Sequence, residues 1–280
     1  MKTYTKTTLI QALREISESG WHKAERDTRR ARNDGAAGNL LESLLGIEEN
    51  NLPLPNANEW ELKVQRRGTA SLLTLKHLEP SPRAFKFVSD ILLPKYGWRH
   101  AEAGNRYPAH EMSFRQTVAA SEFTNRGFKI EIDSDRVSVR FDSQHVSPVH
   151  AEWLDSVRAR VGNIEDLNPR PYWGLEDLSG AFSAKLNNAF YVIADSKKLE
   201  GQEYFRYSEV RMLSGFSING FVELLETGNA FVDFDARTGH NHGTKFRVRR
   251  NQLPNLYAGH DLVVPPREVA IPYGNSSIIT

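Results

Sequence analysis

Residues 128–141 read FKIEIDSDRVSVRF, two runs in which apolar and polar side chains alternate, hinged on Asp133-Ser134-Asp135. Period-two alternation on both sides of a short polar turn is the pattern of an antiparallel hairpin with one buried face. It commits the chain to a sheet. Other runs extend that sheet content: WELKVQRR and SLLTLKHL read as neighbouring strands joined around Gly68, and AFYVIADS, YFRYSEVRML, AFVDFDAR and TKFRVRR read as further strands. Helical spacing competes with them. Leu9, Ile10, Leu13 and Ile16 open a helical stretch within residues 5–33 whose second half, AERDTRRARN, suits an exposed or phosphate-facing helix. Helices are also expected over Asn39–Leu45, Pro82–Leu92, Pro148–Val161, Leu175–Leu186 and Gly220–Glu226, while 97–126 is ambiguous. Strands mixed with helices predict an α/β or α+β mixed-sheet core.

Composition narrows the functional classes. The chain has 280 residues, enough for one large domain or two lobes, and no cysteine, which removes disulfides, thiolate metal sites and a Cys nucleophile together. No apolar run is long enough to cross a membrane, and no apolar leader follows the N-terminus, so a non-membrane, cytoplasmic protein is expected. A formal charge of +1 leaves no overall basic footprint, although Arg29, Arg30 and Arg32 and the group Arg247, Arg249 and Arg250 are local basic clusters.

The chemistry gathers around PNANEWELK, residues 55–63. In a strand, Glu61 and Lys63 project to one side and Trp60, Leu62 and Val64 to the core side. A carboxylate and an ammonium two residues apart are what phosphodiester hydrolysis asks for: one holds Mg²⁺ against a phosphate oxygen, the other orients and helps deprotonate the attacking water. Taken alone, Glu-x-Lys is common on solvated strands and carries little.

Its neighbourhood carries more. The run NDGAAGNLLESLLGIEENNLPLPNANEWELKVQRRGTASLLTL resembles the catalytic core of the MvaI/BcnI-type restriction endonucleases, relatives of the nickase MutH within the PD-(D/E)xK nucleases: Gly35, Gly38, Glu42, Leu45-Gly46-Ile47, Glu49-Asn50, Glu61 and Lys63 fall in the family's order. The segment TGHNHGTKFRVRRNQLPNLY is similar to the family's C-terminal recognition region. The resemblance implies a two-lobed, MutH-like fold over residues 1–265, with a catalytic lobe at about 1–145, a recognition lobe at about 146–265 and a loosely attached tail at 266–280. It implies a Mg²⁺-dependent type II restriction endonuclease acting on double-stranded DNA at a short, G·C-flanked, nearly palindromic site. A monomer with one active site would nick one strand at a time, and a host DNA methyltransferase would be its counterpart without being a stable partner. Glu61 is then a metal-binding carboxylate, Lys63 positions water, and Glu42 supports the site.

At Asn56 the sequence departs from the family, which has Asp as the second metal-binding carboxylate. An amide oxygen can ligate Mg²⁺ but brings no charge. Three readings stay open: an inactivated form of a working enzyme, a variant compensated by Glu49 or Glu59, or a binder of DNA that does not cut. A MutH-like nickase that depends on a partner is a further alternative.

For recognition, alternation in FVDFDARTGHNHGTKFRVRR puts Asp233, Asp235 and Arg237 on one side of a strand and Val232 and Phe234 on the other. Arg pairs with guanine O6 and N7, and Asp accepts from cytosine N4, so the pair suits a G·C step. His240, His242, Lys245 and Arg247 cluster around a glycine-bearing loop and are expected DNA contacts together with Asp235 and Arg237. Zinc at His240 and His242 is disfavoured for want of Cys or a third ligand. Arg249 and Arg250 are expected on phosphate.

Overall fold

The computed structural model describes residues 4–24, 35–47, 55, 57, 59–83, 86–162 and 166–266. Along the chain run α1 (Lys6–Glu18), β1 (His22–Lys23), α2 (Ala36–Leu45), β2 (Glu61–Arg66), β3 (Leu73–His77), a π-helical segment (Val88–Tyr96), β4 (Trp98–Arg99), β5 (Met112–Val118), β6 (Arg126–Ile132) and β7 (Arg136–Val146). There follow α3 (Ala151–Val161), β8 (Tyr172–Gly174), α4 (Leu175–Leu186), β9 (Asn188–Leu199), β10 (Gln202–Phe216), α5 (Ile218–Glu226), β11 (Ala230–Arg237), β12 (His240–Asn241), β13 (Lys245–Val248) and β14 (Tyr257–Val264). The mixed α+β class is as expected.

Two compact units divide the chain. One draws on Met1–Thr69, Ala189–Leu213 and His260–Thr280, the other on Ala70–Asn188 and Ser214–Gly259. The expected lobes, about 1–145 and 146–265, are continuous stretches, whereas these units are not. The tail beyond residue 266 lies outside the described residues.

In the first unit the described strands are ordered β1-β10-β9-β2, with β14 also paired to β10. β2 runs parallel to β9 in the register Glu61↔Ala189 to Arg66↔Ala194. One face of this sheet is apolar: Leu62, Phe190, Val192, Phe205 and Tyr207 join Leu9 and Leu13 of α1 and Leu41 and Leu45 of α2 in a single cluster. Thr5 caps α1 through a reciprocal capping box with Thr8, satisfying amide donors that the first turn leaves open. Gly46 ends α2 in the left-handed conformation, φ 69°, returning its N–H to Glu42 and Ser43 carbonyls. The buried Tyr207 hydroxyl donates to the Ala37 carbonyl at 2.8 Å, tying β10 to α2, and burial pushes that phenol far above its ordinary value.

In the second unit an antiparallel sheet of order β3-β13-β11-β5-β4, with β12 on β11, accompanies a three-stranded sheet β6-β7-β8. The hairpin expected from 128–141 is β6 and β7, paired from Lys129↔Arg140 to Ile132↔Val137. Phe114, Phe128, Phe141 and Trp153 pack edge-on and tilted around Tyr96, whose hydroxyl is pushed up to about 12 by burial and then by the Asp166 charge.

Three expectations need correction. β2 and β3 are not neighbours: β2 pairs with β9 and β3 with β13, in different sheets. Alternation identified both strands but says nothing of partners far along the chain. The opening helix stops at Glu18, and His22–Lys23 pair with Tyr204–Phe205 as a strand; residues 25–34, including Arg29, Arg30 and Arg32, lie outside the described residues. The helix expected over Pro82–Leu92 is instead the π-helical turn Val88–Tyr96, which contains Pro94. Without an N–H, Pro94 cannot close an ordinary i→i−4 bond, and wider turns accommodate such interruptions.

Candidate active site and nucleic-acid interface

β2 starts after a tight turn in which Ala57 and Trp60 exchange backbone hydrogen bonds of 2.9 and 3.0 Å. Trp60 goes into the core, stacked at a tilt on Phe190 with centroids 4.8 Å apart. Alternation from that anchor sends Leu62 and Val64 to the apolar side and Glu61 and Lys63 to the other, as expected. The Lys63 ammonium donates to Glu61 Oε1 at 2.8 Å. Glu61 is only 2% exposed, so this is not a solvated Glu-x-Lys. A buried carboxylate is strongly disfavoured unless a cation or strong donors face it, and Lys63 is such a cation.

Glu42 is half-buried on α2. A Cβ on Gly38 would lie 3.9 Å from Val64, which fixes the face of α2 that meets β2; Glu42, one turn on, shares that face. Structure therefore places Glu42, Glu61 and Lys63 on adjoining elements of one unit. Asn56 and Glu49 lie outside the described residues, and Glu59 is exposed in the turn before β2. Among the described residues no group of three or more His, Asp or Glu gathers to hold a metal on protein ligands alone.

The other predicted residues lie in the second unit. β11 alternates as anticipated, with Ala230, Val232, Phe234 and Ala236 buried and Asp233, Asp235 and Arg237 on the opposite face. That face is an ion-pair lattice. Asp235 lies 3.0 Å from Lys245 and 2.7 Å from Arg115, and Asp233 lies 3.1 Å from Arg247. Arg237 pairs with the buried Glu111 at 3.1 Å and covers the Tyr107 ring. Burial pushes the Asp235 carboxyl up, but Lys245, Arg115 and His242 together outweigh it and hold it below its ordinary range.

His240 and His242 are exposed beside the β11–β12 turn, their rings 4.2 Å apart edge to face. Burial lowers the His242 pKa, and although Asp235 pulls it up, His240, Lys245 and Arg115 add to the lowering and it stays below its ordinary value. Beside them opens a cleft of about 660 Å³ lined by Glu79, Arg83, Lys86, Asp90, His240 and Asn241. Arg250 is bonded to the Ser71 carbonyl and hydroxyl, and Arg249 covers the Phe231 ring. Sequence reading missed Glu111 and Arg115, which fix Arg237 and Asp235. Both lie within the stretch 97–126; the alternation of MSFRQTV in β5 could have signalled Arg115, whereas Glu111 precedes that strand.

The model of the MvaI/BcnI restriction endonuclease family matches residues 10–257. The chain belongs to this family. No curated protein matches it significantly. Among solved structures, the complex of restriction endonuclease MvaI with its cognate DNA substrate is 23% identical, aligns over 94% of this chain and 100% of that one, and has a TM-score of 0.72. MvaI in the absence of DNA is 21% identical over the same shares, with a TM-score of 0.51. At such identities the likeness establishes a shared fold. The family match spans Glu42, Glu61 and Lys63 in the first unit and the charged face of β11 to β13 in the second. No helix among the described residues is long and apolar enough to cross a membrane.

Proposed function

We propose that the chain is a type II restriction endonuclease that hydrolyses phosphodiesters of double-stranded DNA with Mg²⁺. The observation that carries this reading is the Glu61 carboxylate, buried at the start of β2 with the Lys63 ammonium 2.8 Å away, within a family match covering most of the chain.

The donor set fits the metal. Mg²⁺ characteristically takes one or two protein oxygens and completes its shell with waters and substrate phosphate, so it does not need a cage of three acidic side chains. Glu61 would hold it through a carboxylate oxygen and Asn56 through its amide oxygen, and the ion would polarise the phosphate. Lys63 supplies the rest. Its ammonium can hand one donor to Glu61 and another to a water, holding the water oxygen for in-line attack on phosphorus. That attack forms the new P–O bond and breaks the P–O3′ bond; the water gives up a proton to solvent and the departing oxygen takes one from solvent, so the products are a 5′-phosphate and a 3′-hydroxyl.

Base recognition is assigned to Asp235, Arg237, His240, His242, Lys245 and Arg247. The ion pairs of Asp235, Arg237, Lys245 and Arg247 set those side chains in place before DNA arrives, and a G·C-flanked target suits Asp and Arg side by side. The family analogy supplies a MutH-like catalytic arrangement, a monomer, and cleavage by successive nicks.

Asn56 favours one second reading, a protein that binds DNA without cutting it, because the amide brings no negative charge to a site that must hold a cation. Plasmid cleavage with Mg²⁺ decides, comparing the chain with Asn56→Asp. Cleavage only by the Asp variant, first nicked, then linear, then discrete fragments, is the expected result. If neither cuts while both bind one DNA sequence, the nuclease reading gives way to the binder.

A further inference from the structure

The face of the first unit's sheet that carries Glu61 and Lys63 carries a second acid–base pair of the same spacing. β10 reads QEYFRYSEVRMLSGF, and its core-facing residues change parity within it: Phe205 and Tyr207 belong to the apolar cluster, and then so do Val210 and Met212. The core-facing parity shifts by one residue at Ser208-Glu209, the pattern that a β-bulge produces, a device that re-aims side chains and recurs beside active sites. Past it, Glu209 and Arg211 alternate away from the core, onto the Glu61 and Lys63 face. Glu209 is buried, 7% exposed, and Arg211 Nε donates to its Oε1 at 2.6 Å. The Arg211 side chain is 41% exposed. Its Nε is spent on Glu209, and the remainder of the guanidinium fork is a strong donor set for anionic oxygens.

Register locates the pair. Arg206 holds Asp195 at 2.8 Å and the Ser208 hydroxyl reaches the Ile193 carbonyl at 3.4 Å, which sets Ser208 against Ile193 on β9. Counting on past the parity shift brings Arg211 beside Tyr191, and Tyr191 is the register partner of Lys63. Lys63 and Arg211 thus occupy one row across three strands, roughly 10 Å apart at the backbone, on the same side as Glu61.

We propose that Arg211, anchored by Glu209, binds a backbone phosphate of the DNA strand that Glu61 and Lys63 cut, the phosphate neighbouring the scissile one. Two long cations in one row, one paired to each buried carboxylate, match the regular spacing of charge along a strand. Glu209 is the positioning residue, fixing the guanidinium through Nε and leaving the other donors for the ligand. This assignment rests on the nuclease reading of Glu61 and Lys63.

The test is the salt dependence of duplex binding, which a merely structural ion pair would not alter. Each phosphate contact contributes close to one to the slope of log K against log salt for duplex DNA. Binding of a labelled random-sequence duplex by the full chain is measured across a salt series for the parent, Arg211→Gln, Arg211→Lys and, as a control, Lys198→Gln, an exposed cation outside the row. Arg211→Gln is expected to flatten the slope by about one and to weaken binding alike on all sequences, while Arg211→Lys and Lys198→Gln keep the parent slope. Should Arg211→Gln keep that slope while lowering the melting temperature, Arg211 only neutralises Glu209 and the proposal is overturned. A slope lost equally in Lys198→Gln overturns it too, since net charge alone would explain it. If the parent binds no duplex at any salt, the nuclease reading itself fails. Arg211→Lys keeps the charge on the same strand, so it decides the matter even where the Gln variant folds poorly: a slope that falls with the charge retained contradicts the phosphate contact.

Discussion

Asp195 shows how single charges on the first unit's sheet are tuned. It accepts from Arg67 Nε at 2.7 Å and from Arg206 Nη2 at 2.8 Å. Burial pushes its carboxyl up, yet the hydrogen bonds of Arg67, Arg206 and Ser208 outweigh burial and leave it below the ordinary value of 3.8. A depressed carboxyl stabilises the fold fully above that ordinary value, and the contribution fades as pH falls through the lower, folded-state value. Asp195→Asn should therefore cost about 1–2 kcal/mol at neutral pH, moderated by the exposure of Arg67. The difference from the parent should shrink in urea unfolding at pH 3 and below. A constant difference from pH 7 to pH 2 would show that the contribution is packing, not charge. Residue identity was legible where alternation and spacing expose it: Glu61, Lys63, Asp233, Asp235 and Arg237 all lie on the faces the sequence indicated. Their counter-charges were not. Glu111 lies 126 positions from Arg237, and local spacing holds no trace of such a pair.

Elements were read best where one face meets a core. Leu175–Leu186 and Ala230–Arg237 have the bounds expected from periodicity alone, because a buried stripe or an alternating face imprints its period directly on the sequence. β14 was missed for the converse reason: between Tyr257 and Val263 its side chains are exposed or half-buried, so backbone bonding to β10 defines it, not an apolar pattern. The parity shift in β10 was hidden similarly, since SEVR reads as uninterrupted strand. Turns expose the same limit through two glycines of nearly equal φ. At Gly46, φ 69°, an added Cβ meets nothing, so Gly46→Ala should cost about 1 kcal/mol for left-handed backbone alone. At Gly127, φ 72°, the Cβ would sit 2.4 Å from the Asp142 carbonyl oxygen of the paired strand. Gly127→Ala must then open the β6–β7 irregularity, at about 3 kcal/mol or more. Chemical denaturation of the two variants should rank them in that order. Equal losses would mean that backbone conformation, not contact, dominates both.

Across the whole molecule, sequence order and spatial order diverge. The chain passes between its two units at 69/70, 188/189, 213/214 and 259/260, so a cut at any single position leaves one unit incomplete. A division near residue 145 follows the order of the motifs along the chain, but β2, which carries Glu61 and Lys63, has its described ladder with β9, more than a hundred residues downstream. Phe190, Val192, Phe205 and Tyr207 complete the apolar cluster beneath α1 and α2. A fragment of residues 1–145 keeps every candidate catalytic residue and loses those four side chains and both central strands. Burying a large apolar side chain contributes about 1.5–3 kcal/mol, so the loss is comparable to the entire stability of an ordinary domain. The 1–145 fragment should show no cooperative thermal transition by circular dichroism and no slow-exchanging amides in β2, whereas the full chain should show both. A cooperative transition in the fragment, with Glu61–Arg66 amides protected, would mean that β2 finds another partner and that the two-segment sheet is dispensable for building the site.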